Sequence, residues 1–95
     1  MKYEVKLVVV EAPDALDDFE AIANIIYEGG RDDAFLFTKK GKTYICLEQE
    51  DSKSYGLDAI LGALDSVQKL GVVADFVSIS DVYGNEVDVS KVWIV

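Results

Sequence analysis

The first residues of the chain alternate between apolar and polar side chains, which is the pattern of a β-strand with one buried face. The apolar positions of this alternation are Tyr3, Val5, Leu7 and Val9. Val8 and Val10 then place apolar groups on the opposite face as well. The pattern predicts a first β-strand that needs cover on both faces near its end.

A helical pattern follows Pro13. Its apolar residues recur at intervals of three and four, the spacing that gathers side chains on one side of an α-helix. They are Leu16, Phe19, Ile22, Ala23 and Ile26. Gly29 and Gly30 supply a stop. The segment is therefore predicted to be an amphipathic helix that packs on the sheet.

Two β-rich runs, AFLFT and TYICLEQ, are joined by the sequence KKGK, whose Gly41 suits a left-handed turn, so they predict a β-hairpin. A second helical stripe comes next, with a start at Ser52 or Ser54 and an end at Gly71. Its apolar positions are Leu57, Ile60, Leu61, Leu64 and Val67. The run VVADFVSIS then predicts a fourth strand, and the remaining sequence indicates a turn followed by further short strands.

The predicted order β-α-β-β-α-β is typical of the ferredoxin-like sandwich, an α+β fold. In that fold a four-stranded antiparallel sheet carries both helices on one face. We predict a single ferredoxin-like domain over residues 1–95, with residues 82–95 as a C-terminal β extension.

The second face of this sheet requires a cover, because the first two strands are apolar on both faces. Val8 and Val10 lie opposite Leu7 and Val9, and Phe35 and Phe37 lie opposite Ala34 and Leu36. The tail VDVSKVWIV, with Trp93 as its anchor, is the cover that we expect. A homodimer is the alternative. If the tail covers the sheet, deletion of residues 87–95 destabilises or aggregates the protein, since truncating a buried aromatic side chain costs about 3–5 kcal/mol.

Charge is the most informative part of the composition. The chain has 18 acidic residues, 9 basic residues and no histidine, which gives a net charge of −9. Nucleic acids and anionic membranes would repel such a protein, so we expect no direct binding to either. Residues 11–33 contain eight acidic residues and one basic residue, whereas Lys39, Lys40 and Lys42 cluster at the predicted hairpin turn. This imbalance is explained either by solubility or by a basic partner.

No catalytic constellation is present. The lack of histidine excludes Ser-His and Cys-His nucleophiles, and with only one cysteine, Cys46, a zinc site lacks its usual ligands. Cys46 lies in an apolar run and is predicted to be a buried strand residue. No glycine motif for phosphate binding occurs. We therefore expect no enzymatic activity, no cofactor and no metal, with a weak divalent-cation site at Asp32 and Asp33 as a minor alternative.

The apolar runs are short. They reach only four residues, as at Leu7–Val10, far below the roughly twenty that a bilayer requires. Glu4 and Lys6 interrupt any signal-peptide core at the N-terminus. We expect a cytoplasmic protein that does not bind membranes.

The stretch PDALDDFE raises the question whether its carboxylates serve the helix or a partner. Asp14 suits an N-cap, and the negative charge of Asp17 suits the positive end of the helix dipole. Together the two residues are expected to stabilise the helix by about 1–2 kcal/mol. Glu20 and Glu28 lie on the face opposite the apolar stripe, and no Lys or Arg on that helix pairs with them. A solvated face and a binding face both explain this row. The candidate partner-binding residues are Asp14, Asp17, Asp18, Glu20, Glu28, Asp32 and Asp33.

The segment from Ile26 to Asp81 contains IYEGGRDDAFLF, then SYGLDAILGALDSVQKLG, then VVADFVSISD. This text resembles a small bacterial domain that precedes a helix-turn-helix in regulators. The resemblance implies a ferredoxin-like fold and assigns no site residue. In place of the helix-turn-helix the present sequence has VYGNEVDVSKVWIV, so DNA binding is not implied.

The leading hypothesis is a non-enzymatic acidic module that masks or inhibits a basic partner, either a nuclease or a nucleoprotein complex. A phage anti-defence inhibitor of the anti-CRISPR kind, an immunity protein and an antitoxin all share this physics. The alternative is a dimeric regulatory or small-ligand-sensing domain of the ACT type. The carboxylates of EAPDALDD would repel an anionic ligand there, which counts against that alternative.

Overall fold

The computed structural model describes residues 2–11, 19–31, 33–50, 57–81 and 83–86. The elements are β1 (Lys2–Glu11), α1 (Phe19–Glu28), β2 (Phe35–Lys39), β3 (Lys42–Glu50), α2 (Leu57–Gln68) and β4 (Val73–Asp81). The predicted α+β class, with a four-stranded antiparallel sheet and two helices, is confirmed.

The strands lie in the order β2-β3-β1-β4, and each neighbouring pair is antiparallel. β1 and β3 therefore occupy the centre, while β2 and β4 form the two edges. The pairing of β1 with β4 shifts register between Lys6 and Leu7 and again between Val9 and Glu11, and such bulges bend a strand and increase its twist. This arrangement is compatible with a ferredoxin-like fold.

Both helices end in the way that their glycines predict. Gly30 and Gly71 have φ values of 93° and 85°, which residues with a side chain rarely adopt. At each end the next residue's N–H donates to a carbonyl five residues back, from Arg31 to Ile26 and from Val72 to Val67, both 3.1 Å. These bonds satisfy carbonyls that the last helical turn would leave unpaired. The hairpin between β2 and β3 is also confirmed.

One hydrophobic core lies between the sheet and the helices. The strands contribute the residues on one sheet face, of which the fully buried ones are Val5, Leu7, Ile45, Leu47 and Ile79. The helices contribute Ile22, Ala23, Ile26, Ala59, Ile60, Ala63 and Val67. Two members of the predicted stripes are exposed instead, Phe19 at 37% and Leu61 at 49%. On α2 the small residues Ala59 and Ala63 pack on the sheet where Leu61 was expected to.

The other side of the sheet, here called the outer sheet face, carries residues that alternate with the buried ones. On the two central strands these are Glu4, Lys6, Val8, Tyr44, Cys46 and Glu48. The tail predicted to cover this face, residues 87–95 with Trp93, lies outside the described residues, as do the predicted caps at Ser52 and Ser54. Of the predicted extension, Glu86 forms an isolated antiparallel bridge with Ser80. No helix of the described ranges could span a membrane.

Candidate functional site

The exposed side of α1 carries carboxylates. Ile22, Ala23 and Ile26 fix the buried side of this helix, and Glu20, Asn24 and Glu28 follow at four-residue intervals on the solvent-exposed side. We call these three residues the acidic helix face. The helix contains no Lys or Arg, and its last turn has no basic residue to offset the negative end of the dipole. Two turns of helix separate Glu20 from Glu28, about 12 Å along the axis.

Asp33 lies beside Arg31, which binds its carboxylate. The guanidinium lies beside the carboxylate with Nε 3.2 Å from Oδ1, and Nη2 donates to Oδ2 at 3.3 Å. The same arginine donates from Nη1 to Gln49 Oε1 at 2.6 Å and from Nη2 to the Glu48 carbonyl at 3.0 Å. Asp33 thus belongs to a network that ties the segment before β2 to the end of β3.

The predicted partner-binding residues therefore fall into three groups. Glu20 and Glu28 share one exposed face of α1, as the spacing predicts. Asp33 is partly neutralised by Arg31. The others lie outside the described residues and remain predictions: Asp14, Asp17, Asp18 and Asp32. Of the predicted residues that the structure describes, Glu20 and Glu28 on α1 therefore supply the acidic surface, and the partly neutralised Asp33 contributes less to it.

A second acidic surface lies on the outer sheet face, and the sequence pattern did not reveal it. Glu4 on β1 and Glu48 on β3 are directly opposite one another in the register, and both are exposed. They line a shallow cleft of about 280 Å³ together with Asp81 and with one cation, Lys2. The residues are 44 positions apart, so only the pairing of β1 with β3 brings them together. The alternation of side chains along a strand predicts the sheet face of each glutamate, but it does not predict that the two glutamates lie opposite one another.

Three aromatic rings lie on the outer sheet face beside these acids; we call them the aromatic cluster. Phe37 stacks on Tyr44 with ring centroids 5.1 Å apart, and Phe35 lies 6.0 Å from Phe37. The Lys6 ammonium sits 5.7 Å from the Phe37 ring centroid, within cation–π range. Phe35 remains 65% exposed. This cluster confirms the predicted strand alternation and shows where apolar surface meets solvent.

The thiol of Cys46 is not accessible at the protein surface. It is buried on β3, as predicted, between Lys6 on one neighbouring strand and Phe35 on the other. Burial raises the pKa of the thiol, and the charge of Glu4 raises it further. The thiol therefore stays protonated at neutral pH, and its nucleophilicity is low. In this environment the cysteine acts as a small apolar side chain.

The described residues present charged and aromatic side chains at the surface. Among them, no group of three or more His, Cys, Asp or Glu side chains is arranged to hold a metal ion. What the acidic helix face can do is present carboxylates from a rigid helix to a cationic surface. Comparisons with protein-family models, with curated protein sequences and with solved structures find no match.

Proposed function

We propose that this protein is a non-enzymatic acidic binding module that masks the basic surface of a nucleic-acid-handling protein. The observation that supports this proposal most directly is the acidic helix face, which presents Glu20 and Glu28 on a helix without a basic residue. The overall charge of −9 extends the same field around the molecule. Such a field accelerates encounter with a cationic partner and repels nucleic acid.

The physical basis is competition for one cationic surface. A protein that binds DNA or RNA concentrates Lys and Arg where phosphates lie. Carboxylates held on a folded scaffold occupy the same positions without the entropy cost of ordering a flexible acidic chain. An anti-defence inhibitor of the anti-CRISPR kind, an immunity protein and an antitoxin would all work in this way, against a nuclease or a nucleoprotein complex.

We also infer that the scaffold is ferredoxin-like. Two features support this assignment. The α1 connection joins β1 to β2 across the intervening β3, and the α2 connection joins β3 to β4 across β1. Two interlocked crossovers of this kind produce the split βαβ arrangement and leave one sheet face without helices.

The test begins with capture of binding proteins from the native host at low ionic strength. The captured protein is then purified, and its binding to this module is measured in the presence of increasing duplex DNA or RNA. We expect a basic nucleic-acid-binding protein, mutually exclusive binding, and an affinity that falls as salt rises. A partner that binds the module and nucleic acid simultaneously would overturn the proposal. So would micromolar binding of duplex DNA by the module itself in a gel shift.

The second candidate function is a dimeric regulatory or small-ligand-sensing domain. The aromatic cluster on the outer sheet face favours it, because Phe35 is 65% exposed there and exposed apolar patches can mark binding sites. A metabolite that co-purifies with a self-associated protein, with no basic partner, would favour this candidate over the first.

A further inference from the structure

The outer sheet face combines a partly exposed aromatic centre, against which Lys6 lies, with one predominantly basic end and one predominantly acidic end. Phe35, Phe37 and Tyr44 form the centre and lie on β2 and β3. At the hairpin end, Lys39 and Lys42 pair across the same two strands, and both are exposed. Asp75 on β4 lines the same cleft as Lys42, so this end carries two cations and one carboxylate. The opposite end is predominantly acidic: Glu4, Glu48 and Glu50 are exposed there, and Lys2 lies opposite Glu50.

This surface has the composition of a self-complementary interface. A two-fold contact places one patch against an identical patch, so each residue must suit the residue that the symmetry axis brings onto it. Consider a two-fold axis that lies between the two sheets and crosses the strands at right angles. Each strand of the second copy then runs in the opposite direction over the same strand of the first copy. This arrangement therefore brings the basic end of one copy onto the acidic end of the other and keeps the apolar centre over itself.

We infer that the outer sheet face is an interface for a second copy of this chain, docked face to face about such a two-fold axis. When the axis passes midway between Phe35 and Phe37 on β2, Phe37 of one copy packs over Phe35 of the other. Lys42 then lies over Glu48 of the other copy, because the two residues are equidistant from the axis on β3. Aromatic contacts supply buried apolar area, and the charged pairs fix the orientation.

A further observation points to a cation arriving at the acidic end. Glu4 and Glu48 are opposite one another, and like charges in that position destabilise a sheet. Lys2 lines the same cleft, and Lys42 of a second copy would bring a further cation to these two carboxylates.

The interface leaves the proposed binding surface accessible. The helices pack on the other side of the sheet, so face-to-face docking keeps the acidic helix face of each copy pointing outward. A dimer would present two such faces and would bind a partner with repeated basic sites more tightly than a monomer. The inference stands independently of the proposed function, because self-association requires no partner.

The test is sedimentation equilibrium of the full chain with a charge-swap pair. Lys42→Glu and Glu48→Lys should each weaken self-association at least about tenfold, and the double variant should restore most of it. Lys42 and Glu48 are six residues apart on one strand, about 20 Å, so rescue within a single chain is not possible. Lys69→Glu on the helix side makes the same change in net charge as Lys42→Glu and serves as the matched control.

A second variant tests the apolar centre without relying on charge. Phe35→Lys should abolish self-association, and the high exposure of Phe35 means that the monomer should still fold, as circular dichroism would show. A wild-type chain that stays monomeric at the highest soluble concentration would overturn the inference. A double variant that is no better than the single variants would overturn the proposed orientation and with it the inference.

Discussion

Glu4 and Glu48 lie directly opposite one another on the two central strands, with both side chains on the outer sheet face. The next pair toward the end of the sheet, Lys2 and Glu50, has opposite charges in the same relationship. A matched comparison of like and unlike charges therefore exists within one pair of strands. Pairs of this kind change stability by about 0.2–1 kcal/mol.

The first prediction uses this comparison. Glu48→Gln should raise the free energy of unfolding by about 0.2–1 kcal/mol, because it removes the repulsion from Glu4. Glu50→Gln should leave it unchanged or lower it, because it removes an attraction to Lys2. Urea denaturation at low protein concentration measures both effects without a contribution from self-association. The interpretation fails if the two variants change stability equally.

The Arg31 network carries the second prediction. Arg31→Ala leaves Gln49 Oε1 and the Glu48 carbonyl without their donor and should cost about 1–3 kcal/mol. Arg31→Lys should recover only part of the loss, because an ammonium cannot reproduce the planar fork of the guanidinium. Asp33→Asn should cost less than about 1 kcal/mol, since that ion pair is partly exposed. Equal effects of the three substitutions, measured by thermal or urea unfolding, would contradict this account.

The third prediction concerns Gly62, where α2 approaches β3. A Cβ atom at this position would come within 2.6 Å of Gln49 Nε2, while Oε1 of the same amide accepts the bond from Arg31. Gly62→Ala gains about 0.8–1 kcal/mol of helix propensity but must displace Gln49. We expect little net change in the wild type and a gain of about 1 kcal/mol in a Gln49→Ala background. A double-mutant cycle with no coupling would show that Gln49 moves without cost.

Local patterns in the sequence predicted the elements well and their packing less well. Gly30 and Gly71 mark the helix ends because a left-handed cap is a local requirement. Leu61 fits the apolar stripe, which predicts a core position, yet 49% of its surface is exposed. Hydrophobic periodicity predicts which side of a helix is apolar, but not which residues of that side lie nearest the sheet. That depends on which residues allow close approach, and here those are Ala59 and Ala63.

The candidate site shows the same division between local and tertiary information. Glu20 and Glu28 could be placed on one face because helix geometry relates them directly. The sequence alone could not distinguish Asp33 from these two residues. Asp33 is partly neutralised by Arg31, and Arg31 also bonds to β3, a contact that only the folded structure shows. The Glu4–Glu48 pair required the strand register, which no local pattern contains.

Cys46 yields the fourth prediction, on pH. Burial raises the pKa of the folded thiol above the unfolded value, so the folded state holds its proton more tightly. The stabilisation is therefore complete below the unfolded pKa, and it is lost as pH rises through the folded pKa. We expect Cys46→Ala to reduce the loss of stability on the alkaline side. Thiol reagents should modify the native protein far more slowly than the urea-unfolded protein, and equal rates would contradict the burial.

The last prediction separates folding from binding on α1. Glu20 lies in the first helical turn, where a negative charge favours the helix dipole, so Glu20→Lys should cost about 0.3–1 kcal/mol. Glu28 closes the helix at the negative end of the dipole, so Glu28→Lys should stabilise by a similar amount. The double reversal should thus unfold at nearly the wild-type urea concentration. This near-cancellation makes the double variant a clean probe of binding.

For the basic partner captured in the test above, that double reversal should slow association and remove much of the salt dependence, because two attractive carboxylates become repulsive ammonium groups. Asp65→Lys with Glu86→Lys changes the net charge equally at exposed sites outside α1 and should have a much smaller effect. Asn24→Asp, which adds a carboxylate between Glu20 and Glu28, should accelerate association. Equal losses from the two double reversals would mean that net charge, and not the acidic helix face, recruits the partner.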